Sequence, residues 1–449
     1  MTITKTPRFE KDLKQVQDHY LDYPYPLRNP DDDKKRIIRT NEGFLSNINH
    51  HIYNGKQGFK KGYRVLVAGG GTGDSTVWLA KQLMEYPKSE VVYIDFSKKS
   101  MDIAKKRAAN HGITNITWIE DSILNIPRLK LGKFDYFNCC GVLHHLEDPD
   151  LGIKILSDVM KEDGGGSIMV YAQYGRTGVY QMQELLRRTG RGIGNRQEKV
   201  ISAWDVINSL PQTNWYKKGR DLMDGPFDDH ELYDRFLHAQ DRAYTIPQLY
   251  EFVENAGLNI VNFILPYSRA SLNIESYFKD SPTKERIKSL PLREQQAICE
   301  IMGGNIITHE IYISKQKNTI ADFSDLENIP FVFDTPNLCQ QIIDVIDKGG
   351  NNVMNKYVAV QMKDSHKREM SINLAILPHT KSLFAHLKTG NKSFFEIFEA
   401  VRKDTSSKSS DQELWNEFMM NLNPLYSVGS LLLRNKLIKP FNGFLELSD

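Results

Sequence analysis

Two adjacent histidines, His144 and His145, stand in the run Gly141-Val142-Leu143-His144-His145-Leu146-Glu147-Asp148-Pro149, just after an apolar segment. Imidazole is the side chain suited to moving a proton near neutral pH, so the pair can supply a base for a bound acceptor, with His145 ahead of His144. The plainer reading is a pair that only shapes a pocket. A second group of chemically telling residues is Gly69-Gly70-Gly71-Thr72-Gly73, followed by Asp74. Glycines at such a turn let the backbone approach a ligand that a Cβ would block. A dinucleotide fingerprint would put its third glycine at position 74, where this chain has an aspartate. A carboxylate at a helix N-terminus disfavours a pyrophosphate there, so the spacing suits a ligand without phosphate.

The elements around these residues repeat in a βα pattern. Val65–Ala68 reads as a buried strand running into the glycine turn, with a helix starting at Asp74. Val91–Asp95 is a second strand ending in an acid, the position from which a carboxylate accepts the ribose hydroxyls of an adenosine cofactor. Ile116–Ile119 is a third strand, leading to Asp121, which can take an adenine amino group or cap the next helix. Phe134–Cys140 is a fourth strand whose end opens into the histidine run. Gly164-Gly165-Gly166 reads as a turn, Ser167–Tyr171 as a fifth strand, and Leu258–Leu265 with Ile307–Ser314 as a reversed closing pair. The expected fold is α/β: a doubly wound, seven-stranded, mostly parallel sheet with helical insertions.

Taken in order and spacing, Val-Leu-Val-Ala-Gly-Gly-Gly-Thr-Gly (65–73), Tyr-Ile-Asp-Phe-Ser (93–97), Glu-Asp-Ser (120–122) and the 141–149 run resemble the class I S-adenosylmethionine-dependent methyltransferases, over roughly residues 40–315. Within them the chain looks like a bacterial subset with an appended C-terminal domain. The resemblance implies S-adenosylmethionine as cofactor. It also implies a cofactor site of Gly69, Gly70, Gly71, Gly73, Asp95, Phe96, Asp121, Ser122, Cys140, Gly141 and Val142. One departure stands out. Many members have an acid two residues before the first glycine, to hold the methionine amino group, where this chain has Val67.

Around this core, residues 1–42 are expected to form a lid or strap, with Tyr23 and Tyr25 in a proline-rich aromatic segment. The methyltransferase domain is expected over 43–315, with an acceptor-site insertion at 173–245 offering Tyr174, Arg176, His238 and Arg242. Residues 325–449 are expected to be a smaller α+β domain, winged-helix-like at its end, where Pro424–Asn435 reads as a last helix. Lys+Arg 58 against Asp+Glu 56 gives a net charge of +2, which points to neither nucleic acid nor an anionic surface. The four cysteines show neither metal-ligand spacing nor a disulfide framework, so no metal is expected and a reducing cytoplasm is. No run reaches membrane-spanning length.

The expected activity is in-line methyl transfer to an acceptor that is either a protein or a small molecule. The appended domain tips the choice towards a protein amine of the lysine type, ahead of a small-molecule O- or N-acceptor. A non-catalytic cofactor-binding protein is the alternative of another class, and pairing with a second copy as a homodimer is left open.

Overall fold

The computed structural model describes residues 24–219, 227–238, 241–333, 337–349, 357–363 and 369–441. The chain divides into two compact units. The first takes residues up to Thr40, Lys60–Ile260 and Ser271–Lys315, and the second takes Asn41–Phe59, Val261–Ala270 and the chain from Gln316 onward.

The first unit is built on one large sheet. Its strands are β1 (Arg64–Ala68), β2 (Glu90–Asp95), β3 (Ile116–Glu120), β4 (Phe134–Cys140), β5 (Met160–Ala172), β6 (Ala243–Tyr244), β7 (Asn259–Phe263) and β8 (Thr308–Ser314). They lie in the order β3-β2-β1-β4-β5-β8-β7, with β6 paired to β5 off this path. The pairs from β3 through β5 are parallel and β8 runs antiparallel to β5. This is the mostly parallel, Rossmann-like sheet expected from the βα repeats, with the short β6 as an eighth strand. Its order reverses beside β1, so the carboxyl ends of β1 and β4 border the crevice where ligands bind in such sheets. The apolar runs explain the strands: Val65, Leu66, Val67 and Ala68 are all buried, as are Val91 to Ile94, since helices cover both faces.

One local expectation is corrected. Gly164-Gly165-Gly166 is not a turn but lies inside β5, which begins at Met160. A glycine triplet reads as a break only when its sheet neighbour is ignored. Gly166 pairs with Phe137, and a Cβ on it would stand 2.7 Å from that ring, so the glycine makes room for an aromatic side chain.

The insertion between β5 and β6 is helical, with helices at Thr177–Thr189, Arg196–Ser209, Trp215–Gly219 and Asp229–Phe236. They share an apolar core of Val179, Met182, Val200, Leu232 and Phe236. The insertion returns as β6 against the protruding end of β5, where the Arg242 N–H donates to the His144 carbonyl at 3.1 Å.

The second unit is α+β. Its strands pair antiparallel, β9 (Asn328–Val332) with β12 (Leu431–Asn435) and β10 (Tyr357–Lys363) with β11 (Glu369–Ala375). The winged-helix expectation is not met in the segment that prompted it. Pro424 lies inside the Asp411–Ser427 helix, and Leu431–Asn435 is a strand. The helix stops because Gly429 takes a positive φ of 74° and the fully buried Leu431-Leu432-Leu433 run pairs with β9. Among the described residues no helix is long and apolar enough to cross a membrane.

Candidate active site

The glycine turn is held from below by β2. Gly69 N donates to the Ile94 carbonyl at 2.8 Å, and the Tyr93 hydroxyl donates to the Gly71 carbonyl at 2.8 Å. Gly73 adopts φ 101° and ends the loop as the N-cap of the Asp74–Leu83 helix, a conformation that L side chains rarely adopt. Gly70 shows why the loop is closely built: a Cβ there would stand 2.2 Å from the buried Tyr93 ring. A Gly70→Ala substitution is therefore expected to displace the loop, lowering cofactor affinity at least ~10-fold and stability by about 1–3 kcal/mol. Calorimetry with S-adenosylhomocysteine and a melting curve would read both.

Asp95 closes the corner. One carboxylate oxygen accepts from Gly71 N at 2.8 Å and the other from Ser97 N at 2.7 Å. Burial pushes this carboxyl up to about 6, against the pull of the two backbone donors. Asp121 N donates to the Asp95 carbonyl at 3.1 Å, which brings the third strand's acid beside the second's. The Asp121 side chain is engaged within its own loop, accepting from Ser122 N, from Asn125 Nδ2 at 2.6 Å and from Arg128 at 3.0 Å. Ser122 caps the turn that follows. On the other side Gly141, with φ 76°, turns the chain so that Val142 lies across Gly69. The structure thus brings the glycine loop, Asp95, Asp121 and the Gly141-Val142 turn together. Cys140 ends β4 with its side chain exposed, and Phe96 follows Asp95, half-buried.

Asp74 does not face the loop alone. Arg28 and Arg107 grip its carboxylate at 2.7 and 2.6 Å. Burial by itself would raise this carboxyl, but the bonds from Arg28 and the charges of both arginines hold it below the usual range. These contacts belong to a strap. Thr72 Oγ1 donates to the Pro26 carbonyl at 2.8 Å, and the Tyr25 hydroxyl donates to Glu231 at 3.1 Å. Residues 25–28 therefore run from the glycine loop to the insertion's Asp229–Phe236 helix. Tyr23 lies outside the described residues.

The histidines sit in a short 3-10 turn, Leu143–His145, with both rings buried. His144 packs on Tyr171 (centroids 3.9 Å apart) and on His145 (4.1 Å), and His145 stacks on His238 at 3.8 Å. Burial, then the neighbouring His145, Arg176 and His238, hold the His144 imidazole well below its usual range, so it stays neutral and makes a weak base. Arg176 is buried with its guanidinium 3.5 Å above the Tyr171 ring, and its Nη2 stands 3.6 Å from Asp241. Arg176 and His238 thus join the histidines.

Arg242 and Tyr174 do not. Arg242 lends its backbone to His144, but its half-exposed side chain reaches towards Asp150 (3.9 Å) and lies over Tyr244. Tyr174 sits in the turn after β5, where its carbonyl accepts from Thr177. The sequence reading missed Tyr171, Glu231 and Asp234. The Tyr171 hydroxyl donates to Asp234 at 3.3 Å, and Glu231 pairs with Arg235 as well as Tyr25. The available signal was Asp234-x-x-x-His238, a spacing that would put two polar groups on one face of a continuous helix, although here the helix ends at Phe236.

Residues 59–203 match the family described as a methyltransferase domain. An uncharacterised protein of Synechococcus is 29% identical over 272 residues, covering 59% of this chain and 63% of its own length. The ubiquinone biosynthesis O-methyltransferase of Actinobacillus pleuropneumoniae is 29% identical over 119 residues, 26% of this chain and 47% of that protein. The chain therefore spans less than two thirds of the length of these curated relatives. Among solved structures, PKMT2 from Rickettsia typhi, one form of which is a complex with AdoHcy, superposes with a TM-score of 0.61 at 17% identity. That superposition covers 88% of this chain and 76% of PKMT2, and it speaks for the fold. The match over residues 59–203 and the sheet order around it support a class I S-adenosylmethionine-dependent methyltransferase domain at the centre of this chain.

Proposed function

We propose that the protein is an enzyme that transfers the methyl group of S-adenosylmethionine to an oxygen acceptor held beside His145. The observation that carries the cofactor part is Asp95. It is a buried carboxylate at the end of β2, bonded to the backbone of the glycine loop and suited to accept the ribose hydroxyls. Methyl transfer from a sulfonium is an in-line displacement, so positioning and exclusion of water supply most of the acceleration. Val67, buried in β1, has no polar side-chain atom to offer a methionine amino group, so that group is left to other residues near the loop.

Both acceptor classes read from the sequence remain chemically open, and the corner around His145 favours the hydroxyl. An amine needs only to arrive neutral, whereas a hydroxyl must lose a proton as it attacks. His145, with Asp234 and His238 close by, is the group able to assist that loss. The O-methyltransferase name of a partial relative points the same way. The lysine-type amine suggested by the appended unit finds no comparable support in the site.

Incubation with methyl-labelled S-adenosylmethionine and fractionated extract tests the reading. Label is expected in small, organic-extractable products, and His145→Ala is expected to lower turnover about 100-fold with cofactor affinity kept. Label recovered as methyl-lysine after acid hydrolysis of protein would reverse the acceptor assignment. Cofactor binding without any transfer would leave a regulatory protein.

A further inference from the structure

Asp234 lies in the last turn of the Asp229–Phe236 helix, and His238 follows just past its end. His145 meets them from the turn that follows β4. One donor atom from each of the three lies within 4.8 Å of the other two. His145 and Asp234 are 7% and 3% exposed, while His238 is half-buried and marks the open side of the group. The Tyr171 hydroxyl donates to Asp234 at 3.3 Å, which orients the carboxylate as outer partners orient metal ligands.

Two imidazoles and one carboxylate form a donor set that suits zinc or another first-row divalent ion and leaves a coordination position open. We propose that His145, Asp234 and His238 bind a divalent transition-metal ion on the acceptor side of the site. Donors around a tetrahedral zinc at about 2.1 Å stand about 3.4 Å apart. Donors that lie within 4.8 Å of one another reach that spacing by closing about 1.4 Å at most, and His238, past the helix end, is the one not held in a helix. The nearby Arg176 is faced by Asp241 at 3.6 Å, which offsets its charge towards a bound cation.

The cation's role rests on the proposed transfer to an oxygen acceptor, although the site itself does not. A hydroxyl on the open position is acidified and releases its proton to water. Its oxygen then bonds to the methyl carbon as that carbon's bond to the sulfonium sulfur breaks, leaving neutral S-adenosylhomocysteine. On this reading His145 assists the loss of the hydroxyl proton through the cation, as one of its ligands.

The test uses the whole 449-residue chain, tag-free, after chelator treatment. Zinc chloride is titrated by calorimetry into wild type, His238→Ala and Asp234→Asn, with S-adenosylhomocysteine titrated into the same samples. One zinc per chain is expected in wild type, weakened on the order of 100-fold in either variant. Cobalt(II) is expected to give a visible d–d band in wild type that both variants lose. Cofactor affinity and melting curves in the variants show that the fold survives. No stoichiometric zinc in wild type, or zinc binding unchanged in both variants, overturns the site. Intact S-adenosylhomocysteine binding in that case leaves the methyltransferase reading standing. Zinc bound without any S-adenosylhomocysteine affinity would sink the methyltransferase reading and keep the metal site.

Discussion

Asp95→Ala is expected to lower the affinity for S-adenosylhomocysteine by at least ~10-fold, since it removes a charged acceptor for two ribose hydroxyls. The loss has a second part. Gly71 N and Ser97 N would each lose the oxygen they now donate to, so the glycine turn loosens beneath the ligand. The pH dependence separates the charge from the packing. The carboxyl sits at about 6 in the unliganded protein because it is buried. Hydrogen-bond donors on a ligand favour its charged form, so affinity is expected to rise with pH up to about 6, by no more than tenfold per unit, and then to level. Stability without ligand runs the other way. A carboxyl whose folded value is raised contributes stability below its unfolded value, and that contribution is lost as the pH climbs through 6. Asp95→Asn keeps the shape and should flatten both profiles. Calorimetric titrations from pH 5 to pH 8 on wild type and Asn variant decide the matter. A wild-type affinity that does not change with pH would show that the ribose is held elsewhere.

The parts of this molecule legible in its sequence are those fixed by neighbours along the chain. The β1 strand, its glycine turn and the helix from Asp74 form one local unit, and the acid that ends β2 follows from strand and position alone. Gly164–Gly166 misled because the reason for glycine there is the Phe137 ring across the sheet, which no local pattern shows. The 424–435 segment misled because proline was taken to open a helix that it in fact sits within, while three leucines were taken as helical and pair with β9. The acceptor side was half legible. His144 and His145 were visible as a pair, but Asp234 lies in a charged helix of an insertion, where an acid looks like ordinary solvated surface. Arg242 was expected inside and faces Asp150, because its backbone is what the fold uses to tie β6 to the histidine turn. Spacing of four between Asp234 and His238 becomes informative only once the helix is known to face His145.

Arg107→Met is expected to be the most destabilising single change considered, by about 3–5 kcal/mol, because it strips two carboxylates of a buried partner. Arg107 is fully buried and bonds Asp33 at 2.7 Å, Asp74 at 2.6 Å and the Thr72 carbonyl at 2.9 Å. It joins the strap, the glycine loop and the Lys98–Asn110 helix through a single guanidinium. Methionine matches its length and apolar stem, so the loss reads the charge and hydrogen bonds and not a cavity. Asp74 would keep Arg28, but Asp33, its side chain 3% exposed, would be left beside His111 at 3.2 Å. Double replacement, Arg107→Met with Asp33→Asn, should therefore recover part of the loss, since the burial cost of the stranded carboxylate is removed with it. The acid side carries a matching sign. Asp74 is held below the usual carboxylate range, so its stabilising charge is present above the unfolded value and lost as the pH falls through the depressed one. Wild type should therefore weaken in acid more steeply than the Met variant. Chemical denaturation at pH 7 and pH 4 on wild type and both variants measures all three effects. A single Met variant as stable as wild type would mean that the strap is not anchored through this arginine, and Tyr25 with Thr72 would then be its remaining ties to the site.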